Sequence, residues 1–238
     1  MVPRTCVILA AVFLLTAANI QADLLIDQFD GPDTGQSLVV TNKTPDPRDS
    51  QIDGSALGGY RDIELDRVLG QPSYVNVFGD PQDNGLFFSQ GMGQAIATVT
   101  WRGTNSLSEP IYALNENLTN GGMNQFLLTV ADVTGPGIKV SMTVYTEDSS
   151  HNVYSSTTVP VLVTAPRVIS LPYLTAFNGG ADFRKIDGIA LELDGTGLAG
   201  SNIAITSLSA AAPEPSTLVL AAIGGLAFLG VGRKWRRA

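Results

Sequence analysis

Four aspartates crowd one short stretch of the sequence, Asp23, Asp27, Asp30 and Asp33 in "DLLIDQFDGPD". Asp187 and Asp194 bracket a later one, "DGIALELDG". Carboxylates supported by backbone carbonyls are the oxygen ligands that a hard divalent cation takes. Calcium is therefore the one cofactor these residue types suit, with Asp23, Asp27, Asp30 and Asp194 as candidate ligands. The competing reading is structural, because aspartate beside glycine is also an ordinary turn residue.

Other chemistries are poorly supplied. His151 is the only histidine, set in the polar stretch "EDSSHNVYSS" with no Gly-x-Ser-x-Gly elbow in the chain, and it reads as a residue of a hairpin turn. The only cysteine, Cys6, lies in the apolar N-terminal run, so the rest of the chain has no thiol for a disulfide, a nucleophile or a metal. A glycosidase needs only two carboxylates, and Glu64, Glu109, Glu116, Glu147 and Glu192 are present. The acids, however, alternate with apolar residues or sit in turns, as on a solvated face. No catalytic residue is assigned, and the chain is not expected to be an enzyme. Sugar binding by stacking would fall to Trp101 in "TWRGTN", ahead of Tyr60, Tyr74, Tyr112, Tyr145, Tyr154 and Tyr173. Burial in a core is the commoner fate of a lone tryptophan in a sandwich.

The two ends carry a different kind of information. Arg4, the apolar run Cys6–Ala18 and the small residue Ala22 form the three regions of a secretory signal peptide. Cleavage is expected after Ala22, with Ala18 as the alternative. At the other end, Pro213-Glu214-Pro215 precedes an apolar stretch from Leu218 to Val231, and Arg233, Lys234, Arg236 and Arg237 follow it around Trp235. That apolar stretch is near the lower limit for spanning a bilayer, and the basic cluster would stay on the cytoplasmic side. The prolines fix φ and deny helix to the residues before them, which leaves extended backbone for a processing enzyme to grip.

This order of motif, apolar helix and basic ending resembles the PEP-CTERM sorting signal of Gram-negative bacteria. The resemblance covers the last 26 residues or so. It implies recognition of Pro213, Glu214 and Pro215 by an exosortase, a membrane-embedded transpeptidase-like enzyme, with Arg233, Lys234, Arg236 and Arg237 as the basic stop. The partners it implies are signal peptidase, that processing enzyme and, before processing, the inner membrane. A permanent single-pass anchor would use the same features.

Between the ends the chain is acidic. Without Arg4, the four tail cations and Glu214, residues 23–212 hold 9 basic and 21 acidic side chains, a net charge of −12. Such a domain repels nucleic acid and anionic lipid, so no nucleic-acid partner is expected. Its hydrophobic period is two. Ile138, Val140, Met142 and Val144 alternate with Lys139, Ser141, Thr143 and Tyr145, while Ile189, Leu191 and Leu193 alternate with Ala190, Glu192 and Asp194. Further strands are expected at Leu24–Phe29, Leu38–Thr41, Val75–Phe78, Leu86–Ser89, Ala95–Trp101, Gln125–Val130, Val153–Val163 and Arg167–Leu171, with others around Ile63 and Ile203. Turn clusters such as "TGPG", "NGGAD" and "DGTG" punctuate them.

The elements therefore predict an all-β fold: an antiparallel, jelly-roll-like β-sandwich between a signal peptide and a C-terminal transmembrane helix. The expected divisions are 1–22 for the signal, 23–208 for the sandwich, 209–216 for a linker holding the Pro-Glu-Pro motif, and 217–238 for the helix and basic tail. The loose resemblance of "LLIDQFD" and "FRKIDGIALELDGTGLAGSNIAITSLSA" to the sandwich of other PEP-CTERM proteins and to carbohydrate-binding jelly rolls implies that first and last strands pair. The functional expectation is an exported cell-surface or matrix protein of structural or adhesive role. The alternatives are a carbohydrate-binding module of an extracellular polysaccharide matrix and a polysaccharide hydrolase or lyase.

Overall fold

Alternation of apolar and polar side chains makes each strand two-faced, and two such sheets bury their apolar faces against each other. The computed structural model describes residues 23–29, 36–40, 48–52, 56–69, 73–78, 85–103 and 113–212. The first half of the chain contributes β1 (Leu24–Asp27), β2 (Gln36–Val40), β3 (Arg48–Ile52), β4 (Tyr60–Leu69), β5 (Ser73–Phe78), β6 (Gly85–Gln90) and β7 (Gln94–Trp101). The second half adds β8 (Gln125–Thr134), β9 (Ile138–Glu147), β10 (Val153–Thr158), β11 (Val161–Val163) and β12 (Arg167–Pro172). After these come one helical turn α1 (Tyr173–Ala176), β13 (Phe177–Gly179), β14 (Gly188–Asp194) and β15 (Asn202–Ala211).

The strands form two antiparallel sheets. A seven-stranded sheet runs β12-β8-β15-β6-β5-β2, and β1 also pairs with β15. An eight-stranded sheet runs β13-β10-β9-β14-β7-β4-β3, and β11 also pairs with β9. First and last strands do pair, with Leu24 opposite Ala210. The core lies between the sheets. Ala95, Ala97, Val99 and Trp101 of β7 and Ile138, Val140, Met142 and Val144 of β9 face Phe126, Leu128, Ile203, Ile205 and Leu208 from the other layer, and all are buried.

Three local features depart from the sequence reading. The stretch Val153–Val163 is two strands rather than one, broken at Val159–Pro160, because proline has no N–H for the ladder. β3, α1 and β13 were not foreseen; "RDSQI" and "FNG" carry too few apolar residues to show a period. Ser209, Ala210 and Ala211, expected in the linker, are the end of β15, and Ala210 and Ala211 are buried against β1 and β8.

The topology defines two poles. β8 ends at the turn Gly135–Gly137 and β9 returns from it, so Gln125 and Glu147 lie together at the opposite end. That end also holds the start of β1, the close of β15 and α1. It is the exit pole, where the chain enters and leaves the sandwich. The far pole carries the turns around Gly91–Gly93, Gly135–Gly137 and Gly195–Gly200.

Candidate binding face and sorting segment

The outer face of the eight-stranded sheet is a polar ladder. Asp62, Thr100, Ala190, Thr143, Thr157 and Asn178 occupy one row across β4, β7, β14, β9, β10 and β13. The next row holds Glu64, Thr98, Glu192 and Ser141, and the third holds Asp66, Ile96, Asp194 and Lys139. The rows are tied together laterally. Arg102 Nε lies 2.9 Å from Asp62 Oδ2. The Thr143 and Thr157 hydroxyls are 3.0 Å apart, and the Ser141 hydroxyl donates to Glu192 over 3.4 Å. Small residues, Gly188, Ala190 and Thr100, floor the part nearest the exit pole, and Tyr60 on β4 and Tyr145 on β9 lie on the same face, neither of them fully buried. The outer face of the seven-stranded sheet is dominated by hydroxyls and amides, with Asp132 of β8 as an exposed carboxylate near the far pole. Ser207 donates to Thr129 over 3.0 Å, Ser170 to Gln125 over 2.6 Å and the Asn202 amide to Thr134 over 2.7 Å.

Trp101 does not lie on either outer face. It closes β7 on the buried side, in register with Val99 and Ala97, and is wholly buried. Its indole N–H donates to Asp27 Oδ2 over 2.8 Å, and Phe29 packs across it at 6.1 Å between ring centroids. The expectation of a sugar-stacking Trp101 is therefore corrected: no face of the indole is open to a ligand.

Asp27 is corrected with it. Its carboxylate is wholly buried, accepts Arg61 Nη1 at 2.9 Å on both oxygens, and accepts the Phe29 N–H at 2.6 Å. Burial pushes the Asp27 carboxyl above its ordinary value, while Arg61, Trp101 and the Phe29 N–H pull the other way. These donors occupy the oxygens a cation would need. The cluster instead clamps β1 of one sheet to β4 and β7 of the other.

The remaining candidates for a calcium ligand set do not converge. Asp23 is exposed at the exit pole, and Asp30 lies outside the described residues. Asp194 ends β14 at the far pole, where it accepts the Thr196 N–H at 2.7 Å and hydroxyl at 2.5 Å and faces Lys139 Nζ at 3.4 Å. Burial works against ionisation of Asp194, but Thr196 and Lys139 outweigh it and hold the carboxyl below its usual range. Among the described residues, no three His, Cys, Asp or Glu side chains form a group that could hold a metal.

At the exit pole the polar residues act as caps. Asp148 accepts the Asn152 amide and N–H, each at 2.9 Å, and the Ser150 N–H at 2.8 Å, with Asn152 the main cause of a carboxyl lowered to about 2. His151 sits in this β9–β10 turn with φ 62°, its ring exposed and paired with Glu147. Asp187 is buried and accepts the Glu147 N–H at 2.7 Å. Behind them Phe126, Tyr173, Phe177 and Phe183 form an aromatic cluster, with Tyr173 stacked on Phe183 at 4.4 Å.

Arg61 was missed by the sequence reading, although a signal existed: it shares the parity of Ile63 and Leu65 on β4 and so points inward with them. Asp27 carried no such signal, because a register shift between Leu25 and Asp27 turns both Ile26 and Asp27 inward.

The sorting residues Pro213, Glu214, Pro215, Arg233, Lys234, Arg236 and Arg237, like Ala22, lie outside the described residues. Among the described residues no helix is long and apolar enough to cross a membrane. The two-sheet architecture defines a β-sandwich protein, similar to known carbohydrate-binding modules. A family 11 module of a cellulosomal cellulase of Clostridium thermocellum gives a TM-score of 0.38 at 10% identity, over 83% of this chain and 99% of that one. A family 30 module of another cellulosomal cellulase of the same organism gives 0.39 at 14%, over 81% and 99%. The CBM22-1 xylan-binding domain of Paenibacillus barcinonensis gives 0.32 at 12%, over 83% and 100%. No curated protein matches the sequence. The family model "PEP-CTERM protein-sorting motif" matches residues 211–237. The chain is thus a β-sandwich protein that ends in a PEP-CTERM sorting motif.

Proposed function

We propose that this protein is exported across the inner membrane and routed to the cell surface or extracellular matrix by its C-terminal motif, where the sandwich serves a non-catalytic structural or adhesive role. The observation that carries the reading is the sorting motif at residues 211–237. Signal peptidase removes residues 1–22, and an exosortase-type enzyme engages Pro213, Glu214 and Pro215 while the apolar segment that follows is held in the membrane by Arg233, Lys234, Arg236 and Arg237. The sandwich, from Asp23 onward, is released as one domain. Fractionation of cells with and without the processing enzyme tests this: the protein moves to the surface or medium with the enzyme and stays in the membrane fraction without it. An identical distribution in both strains contradicts it.

A second reading, carbohydrate binding in the same matrix, is favoured by the outer face of the eight-stranded sheet. Hydroxyls, amides and carboxylates lie there in register beside Tyr60 and Tyr145, the kind of surface on which sugar hydroxyls exchange hydrogen bonds and a ring stacks. Polysaccharide retardation of the protein that is lost in Tyr145→Ala supports this reading; equal mobility with and without polysaccharide removes it.

A further inference from the structure

The two segments expected to meet the membrane leave the sandwich from one place. Leu24 pairs with Ala210, so the start of β1 and the end of β15 lie side by side on neighbouring antiparallel strands. Ala212 alone separates the end of β15 from Pro213. From Ala211 to Leu218, where the apolar stretch begins, the chain reaches at most about 25 Å even when fully extended. The ten-residue strand β15 is itself about 33 Å long. The tether is therefore shorter than the sandwich, and the exit pole is the end it holds near the bilayer.

The exit pole also presents an unusual residue. The Asn124 N–H donates to Ala211 and the Tyr173 N–H to Asn124, which places α1 two hydrogen bonds from the point of exit. Leu174, the next residue, is 95% exposed, the most exposed large apolar side chain described. Its chain neighbours Pro172 and Thr175, and Asn124, which accepts the Tyr173 N–H, are exposed and uncharged. A leucine held outward on an uncharged helical turn, set beside the charged β9–β10 and Asp182–Lys185 turns of the same pole and close to a segment that enters the membrane, suits the lipid–water boundary, where burying it is favourable. The carboxylate-bearing face of the eight-stranded sheet suits water and is repelled by anionic lipid.

We propose that the exit pole is a bilayer-docking surface: while the C-terminal segment is in the membrane, Leu174 sits in the headgroup region and the sandwich stands upright, with its far pole directed outward. This inference rests on the reading of residues 211–237 as a membrane-engaged sorting segment. In this arrangement the Pro-Glu-Pro motif is kept at the membrane surface, within reach of a membrane-embedded enzyme, by the folded domain itself.

The chain offers a clean test, because its only cysteine leaves with the signal peptide. The tail-bearing protein, secreted by a host without the processing enzyme, is reconstituted in phosphatidylcholine vesicles containing a nitroxide-labelled lipid. Single variants Leu174→Cys, Met92→Cys and Val168→Cys carry an environment-sensitive dye at the exit pole, the far pole and the seven-stranded sheet. The expected result is co-flotation of all three with vesicles, with quenching at position 174 several-fold above that at 92 and 168. Co-flotation with equal quenching at 174 and 92 overturns the docking proposal, and strongest quenching at 168 overturns it in favour of a sandwich lying flat. Failure to co-float overturns the membrane reading of the tail, and the docking proposal with it.

Discussion

At the exit pole the sandwich is closed by side chains, whereas at the far pole it is closed by backbone. The exit pole holds the Asp27–Arg61–Trp101 clamp, the Phe126–Tyr173–Phe177–Phe183 cluster and the capping carboxylates Asp148 and Asp187. The far pole is made largely of glycine turns, and at Gly135, Gly137 and Gly195 they pass so closely that a side chain would collide. A Cβ on Gly135 would stand 2.6 Å from the Gly200 carbonyl oxygen, and one on Gly195 would overlap the buried Gln90 amide. The two ends therefore accept change in different places. A pole made of side chains can shape a surface around the departing chain, while a pole made of tight turns fixes strand register and offers little chemistry.

Breaking the clamp should produce the largest effect. Asp27→Ala leaves the wholly buried Arg61 guanidinium without its carboxylate, and an expected loss of about 3–5 kcal/mol is read from urea unfolding. The paired variant Asp27→Leu with Arg61→Met sharpens the point. It should recover most of that loss, because burying two apolar groups of suitable size replaces the ion pair without stranding a charge.

The far pole should fail for a different reason. Gly135 has φ 78°, so Gly135→Ala adds both a left-handed backbone penalty and the clash with Gly200. The expected cost is about 1–3 kcal/mol, measured in the same unfolding experiment, with no change in the Asp27 cluster.

A smaller effect concerns pH. The Asp148 carboxyl is lowered to about 2 by the hydrogen bonds of Asn152 and Ser150. A lowered acid contributes stability that is present above its unfolded pKa of 3.8 and is lost as pH falls through about 2. Thermal melts from pH 5 to pH 2, a range chosen around those two values, should show a shallower decline for Asp148→Asn than for the parent chain. An unchanged slope would remove Asp148 from the account of the exit pole. The smallest effect is expected at Leu174, where Leu174→Ser changes stability by less than about 0.5 kcal/mol, since its side chain packs against nothing. A larger loss would mean that Leu174 supports the fold rather than a surface.

The same contrast explains what was legible in the sequence. Alternation reported β7, β9, β14 and the core they share, because sheet faces follow a period of two regardless of context. It also held the inward position of Trp101, which shares parity with Val99, and of Arg61, which shares parity with Ile63. The glycine clusters reported the far-pole turns, because glycine relieves the close approaches at Gly135 and Gly195 and takes the positive φ of Gly197 and Gly200. What stayed hidden depends on irregularity or on partners distant in sequence. The register shift that turns Asp27 inward, the strand β13 built from "FNG", and the pairing of an aspartate with an arginine 34 residues away leave no periodic trace. Aspartate spacing around residue 27 suggested a cation, and the structure supplies an internal one in Arg61. The sorting motif, by contrast, is read from local order alone, and the family model matches it over residues 211–237.

Export with removal of both ends is read from the intact mass of the protein recovered from the surface or medium of cells that carry the processing enzyme. The expected species begins at Asp23 and lacks the apolar stretch Leu218–Val231 and the basic ending, and both are retained when Pro213, Glu214 and Pro215 are replaced by alanine. A surface protein that still carries residues 218–238, or one whose mass is unaffected by that replacement, would contradict it.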